Sequence, residues 1–155
     1  MSRKLFIILC LALAGQTFAQ EKSCASIKFQ HGNCQIGLKP LTVKRVFGIV
    51  LGDYSPNKTE KDSEFPMEDF CVILFREKDE KLVTHTKTSF KGRFELRNIP
   101  DGDYRLVVKS TDEHNFGLTV ASIPLKIESK ANKKKSILVR MVPLRMHSCS
   151  YAEIQ

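Results

Sequence analysis

Residues 86–110 read TKTSFKGRFELRNIPDGDYRLVVKS, and the alternation in this stretch decides the fold class. Phe94 and Leu96 fall on one face, and Arg93, Glu95 and Arg97 on the other. That is the period of two of a half-buried strand. The run breaks at Pro100-Asp101-Gly102-Asp103, which is turn chemistry: proline presets φ, and Asp-Gly supplies a positive φ at little cost. Alternation then resumes with Tyr104, Leu106 and Val108 on the inward side. The spacing predicts a hairpin, two antiparallel strands joined at NIPDGDY and presenting one apolar face to a core.

The same signals recur on both sides. RVFGIVLG at 45–52 is a short β-branched run, and DYSPNKTEKDSEFP at 53–66 is a polar loop with two prolines. EDFCVILFR at 68–76 is apolar on both faces, as a central strand of a sandwich must be. EKDEK makes a charged turn before the Thr-rich strand LVTHTKTS at 82–89. LTVASIPLKIE at 118–128 and KSILVRMVP at 135–143 are two more strands around a lysine-rich turn. Seven short strands with no helical period between them predict an all-β, seven-stranded antiparallel Greek-key β-sandwich.

The chain has 155 residues. MSRKLFIILCLALAGQTFA opens with Arg3 and Lys4, continues with a short apolar core and ends on a small-x-small site at Ala19. This is the pattern of a secretory signal peptide over residues 1–19, too short in its apolar part to span a bilayer. The expected location is therefore secreted or periplasmic. About 135 residues follow, enough for one domain. Loss of Arg3 and Lys4 lowers the net charge from +8 to +6. Such a charge suits anionic partners, membrane head groups among them. Only KANKKK at 130–135 is a dense basic run, though, and it reads as a solvated turn. Nucleic acid is not an expected partner of an exported chain.

Four cysteines remain after the leader: Cys24, Cys34, Cys71 and Cys149. An even count in an oxidising compartment favours disulfides, and four cysteines allow three connectivities. The preferred pairing joins Cys24 to Cys34 across a short loop and leaves Cys71 with Cys149. Metal-ligand spacing is missing, and His31 between Cys24 and Cys34 is a weak zinc signal. Residues 20–44 carry no sustained period and read as an N-terminal extension. The sandwich is expected over 45–143, with a C-terminal tail over 144–155.

The order of these motifs resembles the carboxypeptidase regulatory-like domain, a transthyretin-like (prealbumin-like) β-sandwich. Its opening Val-x-Gly-x-Val is matched by Val46, Gly48 and Val50, and its second strand by Val72 and Leu74. The Gly-x-Phe strand is matched by Gly92 and Phe94, and the Pro-x-Gly-x-Tyr turn by Pro100, Gly102 and Tyr104. The matched residues have folding roles. Gly48 allows close backbone approach in the first strand. Tyr104 buries its ring and hydrogen-bonds its hydroxyl near a corner. Before the Phe strand, SFKG at 89–92 lacks the carboxylate that a calcium-binding turn would need. The second strand is more apolar than the family pattern, and its outer face needs cover from the N-terminal extension or from a partner.

Catalytic constellations are missing. His31, His85, His114 and His147 form no His-x-His or His-Glu-x-x-His pair, and no Gly-x-Ser-x-Gly occurs. Related sandwiches that are enzymes carry a Tyr-Arg-Gly-Ser tail or an iron-binding set of two Tyr and two His. This chain has Tyr54, Tyr104 and Tyr151 without either pattern. The expectation is a protein that is not an enzyme and takes no cofactor. It would bind an envelope or extracellular protein or serve a structural role, with partner contacts at Phe70, Ile73 and Phe75. The alternative is a binding module for a glycan or a small apolar ligand; with no Trp in the chain, the glycan is the weaker form of it. Asn57-Lys58-Thr59 is a glycosylation sequon that matters only in a eukaryotic host.

Overall fold

The computed structural model describes residues 24–28, 39–53, 64–111, 120–132, 134–142 and 150–155. The expected signal peptide, Cys34, Cys149, His31, His114, His147, Tyr54 and Asn57 lie outside them.

Among the described residues, a short 3-10 turn, Cys24–Ser26, precedes ten strands. These are β1 (Leu41–Val43), β2 (Val46–Asp53), β3 (Glu64–Pro66), β4 (Phe70–Arg76) and β5 (Leu82–Lys87). They continue as β6 (Arg93–Leu96), β7 (Gly102–Ser110), β8 (Ala121–Ile127), β9 (Ile137–Met141) and β10 (Tyr151–Ile154). One sheet runs β1-β8-β7-β4-β5. The other runs β10-β9-β2, with β6 and β3 sharing the far side of β2. The all-β sandwich read from the sequence is therefore present, and all seven expected strands form.

Four features differ from expectation. The sheets are mixed, because β1 runs parallel to β8 and β2 parallel to β9. Strands β1, β3 and β10 lie in the stretches read as extension, loop and tail, so paired strands extend beyond both 45 and 143. Each of these short strands pairs with a longer neighbour: β1 with β8, β3 with β2 and β10 with β9. Third, NIPDGDY is not a hairpin. β6 pairs with β2 in one sheet, whereas β7 lies between β4 and β8 in the other. The bend therefore crosses between the sheets. Alternation reveals which face is apolar, and two strands facing one core from opposite sides satisfy it as well as a hairpin does.

The fourth is the disulfide. Cys24 is bonded to Cys71, with Cα atoms 5.5 Å apart, so the pairing of Cys24 with Cys34 is overturned. Nearness in sequence favoured the short loop. The fold instead seats the 3-10 turn on β4 and brings together two cysteines 47 residues apart.

The core follows from the two faces of β4. Phe70, Val72 and Leu74 point between the sheets, where they meet Tyr104, Leu106 and Val108 of β7 and Val46, Phe94 and Leu96 from the opposite sheet. Burial of side chains of this size contributes about 1.5–3 kcal/mol each. Cys71, Ile73 and Phe75 point the other way, into a smaller cluster with Cys24 and Val107, flanked by Ile27 and Val120. Arg105 also lies on that outer face, 8% exposed, with its Nε donating to Glu77 Oε2 at 2.9 Å. Pro124 sits in β8, which has neighbours on both sides, yet β1 begins pairing only at Leu125. The amide that proline lacks is therefore not needed by a second strand.

Tyr104 fastens the crossing between sheets. Its ring is buried and its hydroxyl donates to the Pro100 carbonyl at 3.0 Å, as the sequence predicts. Tyr104→Phe keeps the ring and removes the bond, so a loss of about 1 kcal/mol is expected in urea unfolding. A change below a few tenths would show that the bend is held by packing alone.

Candidate functional site

The residues expected to meet a partner do not form a surface. Phe70 is 3% exposed and belongs to the inter-sheet core. Ile73 and Phe75, 0% and 3% exposed, lie on the opposite face of β4, within the cluster that includes Cys24. The N-terminal extension thus supplies the cover that this outer face needs, through Cys24 and Ile27. The two apolar faces of β4 were legible, but what lies over each of them was not. The described lysines of the basic run, Lys130, Lys134 and Lys135, are exposed.

A concavity among the described residues lies at the sandwich edge where β5 and β6 lie side by side. It is an open groove of about 540 Å³ between Arg45, Phe47 and Arg93 on one wall and Thr86, Lys87 and Thr88 on the other. Local hydrogen bonds fix its floor. Thr88 Oγ1 donates to the Met67 carbonyl at 2.6 Å and accepts from the Phe70 amide at 2.9 Å. Ser89 Oγ accepts from the Arg93 amide at 3.2 Å, and the Ser89 carbonyl accepts from the Gly92 amide at 2.8 Å. Gly92 has φ +69° and faces the Val50 carbonyl so closely that a Cβ would collide with it. Glycine is therefore required to close this turn against β2.

Charge in the groove is unequal. Arg45, Lys87 and Arg93 line it, with Glu95 the one acidic residue of the lining among the described residues. Glu95 is shared, 2.5 Å from Arg45 and 2.9 Å from Arg97. Arg45 also lies over the Phe47 ring at 5.3 Å. Lys87 reaches Asp69 at 3.0 Å. The Arg93 side chain makes no ion pair among the described residues. A second open hollow, about 320 Å³, lies on the other side of Glu95, between Lys44, Arg97 and Ile99. His85 is exposed on β5, out of phase with the core. Among the described residues no three His, Cys, Asp or Glu side chains come together as a metal site would require.

The hydrogen bonds from Arg97 and then Arg45 hold the Glu95 carboxyl below the ordinary carboxylate range. The folded pKa is depressed, so the carboxylate's contribution to stability is present above its ordinary value of 4.5 and is lost as pH falls through the folded value. In a carbon-detected NMR titration, Glu95 is expected to titrate below 4.5. Arg97→Ala should move the midpoint upward, and Arg45→Ala should do so as well. A native midpoint at or above the ordinary value would mean that the arginines do not hold the carboxylate in solution.

The outer face of the β10-β9-β2 sheet is built differently. Val46 and Val50 point into the core, so Phe47, Ile49 and Leu51 turn outward beside Leu138 and Arg140 of β9. Arg140 ties three strands together, with Nε 2.7 Å from Glu64, a second bond to Glu153, and its guanidinium 5.6 Å over Tyr151. Burial works against its charge, but the hydrogen bonds to Glu64 and Glu153 outweigh this and raise its pKa above the usual arginine value.

No protein-family model matches the chain, and no curated protein matches it. Among solved structures it is similar to an (S)-allantoin synthase, with 11% identity and a TM-score of 0.43 over 73% of this chain. The match spans 45% of that enzyme's chain. It is also similar to the 5-hydroxyisourate hydrolase of Klebsiella pneumoniae, with 16% identity and a TM-score of 0.42, covering 70% of this chain and 99% of that one. Both have the transthyretin-like fold, in agreement with the coarser part of the sequence resemblance. Likeness at this level concerns the fold alone, and neither activity passes to this chain. It does correct one expectation. Both neighbours are enzymes, so the exclusion of catalysis is withdrawn, with no reaction put in its place.

Proposed function

We propose that the chain is an exported β-sandwich, akin to carboxypeptidase regulatory-like modules, that binds an extracellular or envelope protein through a free strand edge. The observation that carries this reading is the edge itself. β5 pairs with β4 on one side and with no strand on the other among the described residues. Leu82 at its start and Phe90 just beyond its end are exposed, Phe90 to 69%. An open edge flanked by apolar side chains is the template that strand-adding partners use. The amino-terminal leader pattern supports a partner met outside the cytoplasm.

The test is a cross-linked pull-down, with the exported, oxidised protein as bait in its own secreted or envelope fraction. Stoichiometric capture of one protein, cross-linked to residues of β5 or its flanks, is the expected result. A folded bait that captures nothing would overturn the reading. Thermal-shift screening against glycans and small apolar molecules would then follow.

A further inference from the structure

The groove beside β5 has a composition that selects among partners. Resting on the strand-edge reading above, we infer that it takes an extended acidic segment of the partner, added as a strand along β5 with carboxylates over Arg93 and Arg45.

The backbone argument comes from register. Phe70 pairs across from Thr88, and the Thr88 amide donates to the Phe70 carbonyl at 2.9 Å. Antiparallel ladders alternate, so Thr86 and Thr84, opposite Val72 and Leu74, also point their amides at β4. His85, opposite Ile73, then turns its N–H and C=O toward the open side. The register shift between Leu74 and Phe75 disturbs the ladder at the Leu82 end. Regular pairing with an added strand is therefore favoured over the stretch next to the groove, 84–87.

The side-chain argument comes from charge. A strand added there lies against the lining formed by Arg45, Lys87 and Arg93. Glu95, the one acidic lining residue among the described residues, is already engaged by Arg45 and Arg97. Arg93 is exposed on β6 and has no ion-pair partner among the described residues. Alternate residues of an extended peptide face one side, so a Glu-x-Glu-x pattern directs successive carboxylates to the wall of Arg45 and Arg93. A sulfated glycan would satisfy the cations but not the strand edge, and a free carboxylate would not use the His85 backbone.

The test uses the exported, oxidised protein and four probes followed by amide NMR. These are the capped peptide Glu-Val-Glu-Val-Glu-Val, its Gln-for-Glu counterpart, glutarate, and a heparin tetrasaccharide. The acidic peptide is expected to bind at least ten-fold more tightly than the Gln peptide. Its shifts should centre on 85–89 and 93–95, its affinity should fall with added salt, and exchange of the His85 amide should slow. Arg93→Gln should weaken it about ten-fold, and Arg93→Glu should abolish it, with the melting temperature unchanged because the side chain is exposed. Equal affinity for the two peptides, glutarate binding as tightly as the peptide, heparin alone binding, shifts outside the groove, or no binding would each overturn the inference. The two proposals fail separately. A partner captured equally by the native protein and by Arg93→Glu removes the acidic groove and leaves the interaction reading standing. Peptide binding with no partner captured does the reverse.

Discussion

Replacing Cys24 and Cys71 together by alanine is expected to lower stability by about 4 kcal/mol, the chain-entropy value for a closed loop of this length. The bond spans 47 residues, which places β1, β2 and β3 inside the loop it closes. A loss of that size would lower the melting temperature by on the order of 10 °C. There is a second consequence. The turn carrying Cys24 and Ile27 covers Ile73, Phe75 and Val107, and the disulfide is what anchors it there. Freed from β4, that turn should leave the cluster accessible, and binding of an apolar dye should rise before global unfolding. Both cysteines are changed because a single substitution would leave a reactive thiol. The checks are a non-reducing peptide map, which should recover the peptide of Cys24 linked to that of Cys71, and urea unfolding of the double variant. Recovery of a Cys24–Cys34 link, or a loss below about 1 kcal/mol, would remove the bond from the account of stability.

Gly48→Ala is expected to cost about 3 kcal/mol or more. Gly48 stands opposite Ile137 in the parallel pair of β2 and β9, and a Cβ there would run into the Ile137 carbonyl. The obstacle is backbone, so relief requires the two strands to separate. Val46 and Val50 on either side of it are locked in the core, which opposes that movement. Gly52→Ala is the control. A Cβ at that position meets the Met67 thioether and the Phe65 ring, both ends of side chains that can move. Its cost should be about 1 kcal/mol, the ordinary scale of a point substitution. Urea unfolding of both variants gives the comparison. Similar costs at the two glycines would show that β2 and β9 are not held as closely as the geometry requires.

Much of the fold was legible because each of the seven longer runs read from the sequence carries its own burial pattern. Phe94 and Leu96 face in, and Arg93, Glu95 and Arg97 face out, as alternation demands. β4 is apolar on both faces and has packed clusters on both. The roles of Gly48 and Tyr104 follow from what a glycine and a tyrosine can do beside a backbone and at a corner. The acidic-segment groove was not legible. Arg45, Lys87 and Arg93 belong to different strands, and nothing in their spacing shows that two sheets bring them to one edge.

The sequence by itself determined that this is an all-β sandwich, where its seven main strands run and which face of each is apolar. Those properties are local, set by side-chain period and turn chemistry within about ten residues. Only the tertiary structure decided that β6 and β7 belong to opposite sheets, that Cys24 reaches Cys71, and that Phe70, Ile73 and Phe75 are covered by their own chain. Those properties depend on which strands become neighbours. Neighbours are chosen by the combined packing of both sheets, and a period of two is the same whichever neighbour is chosen.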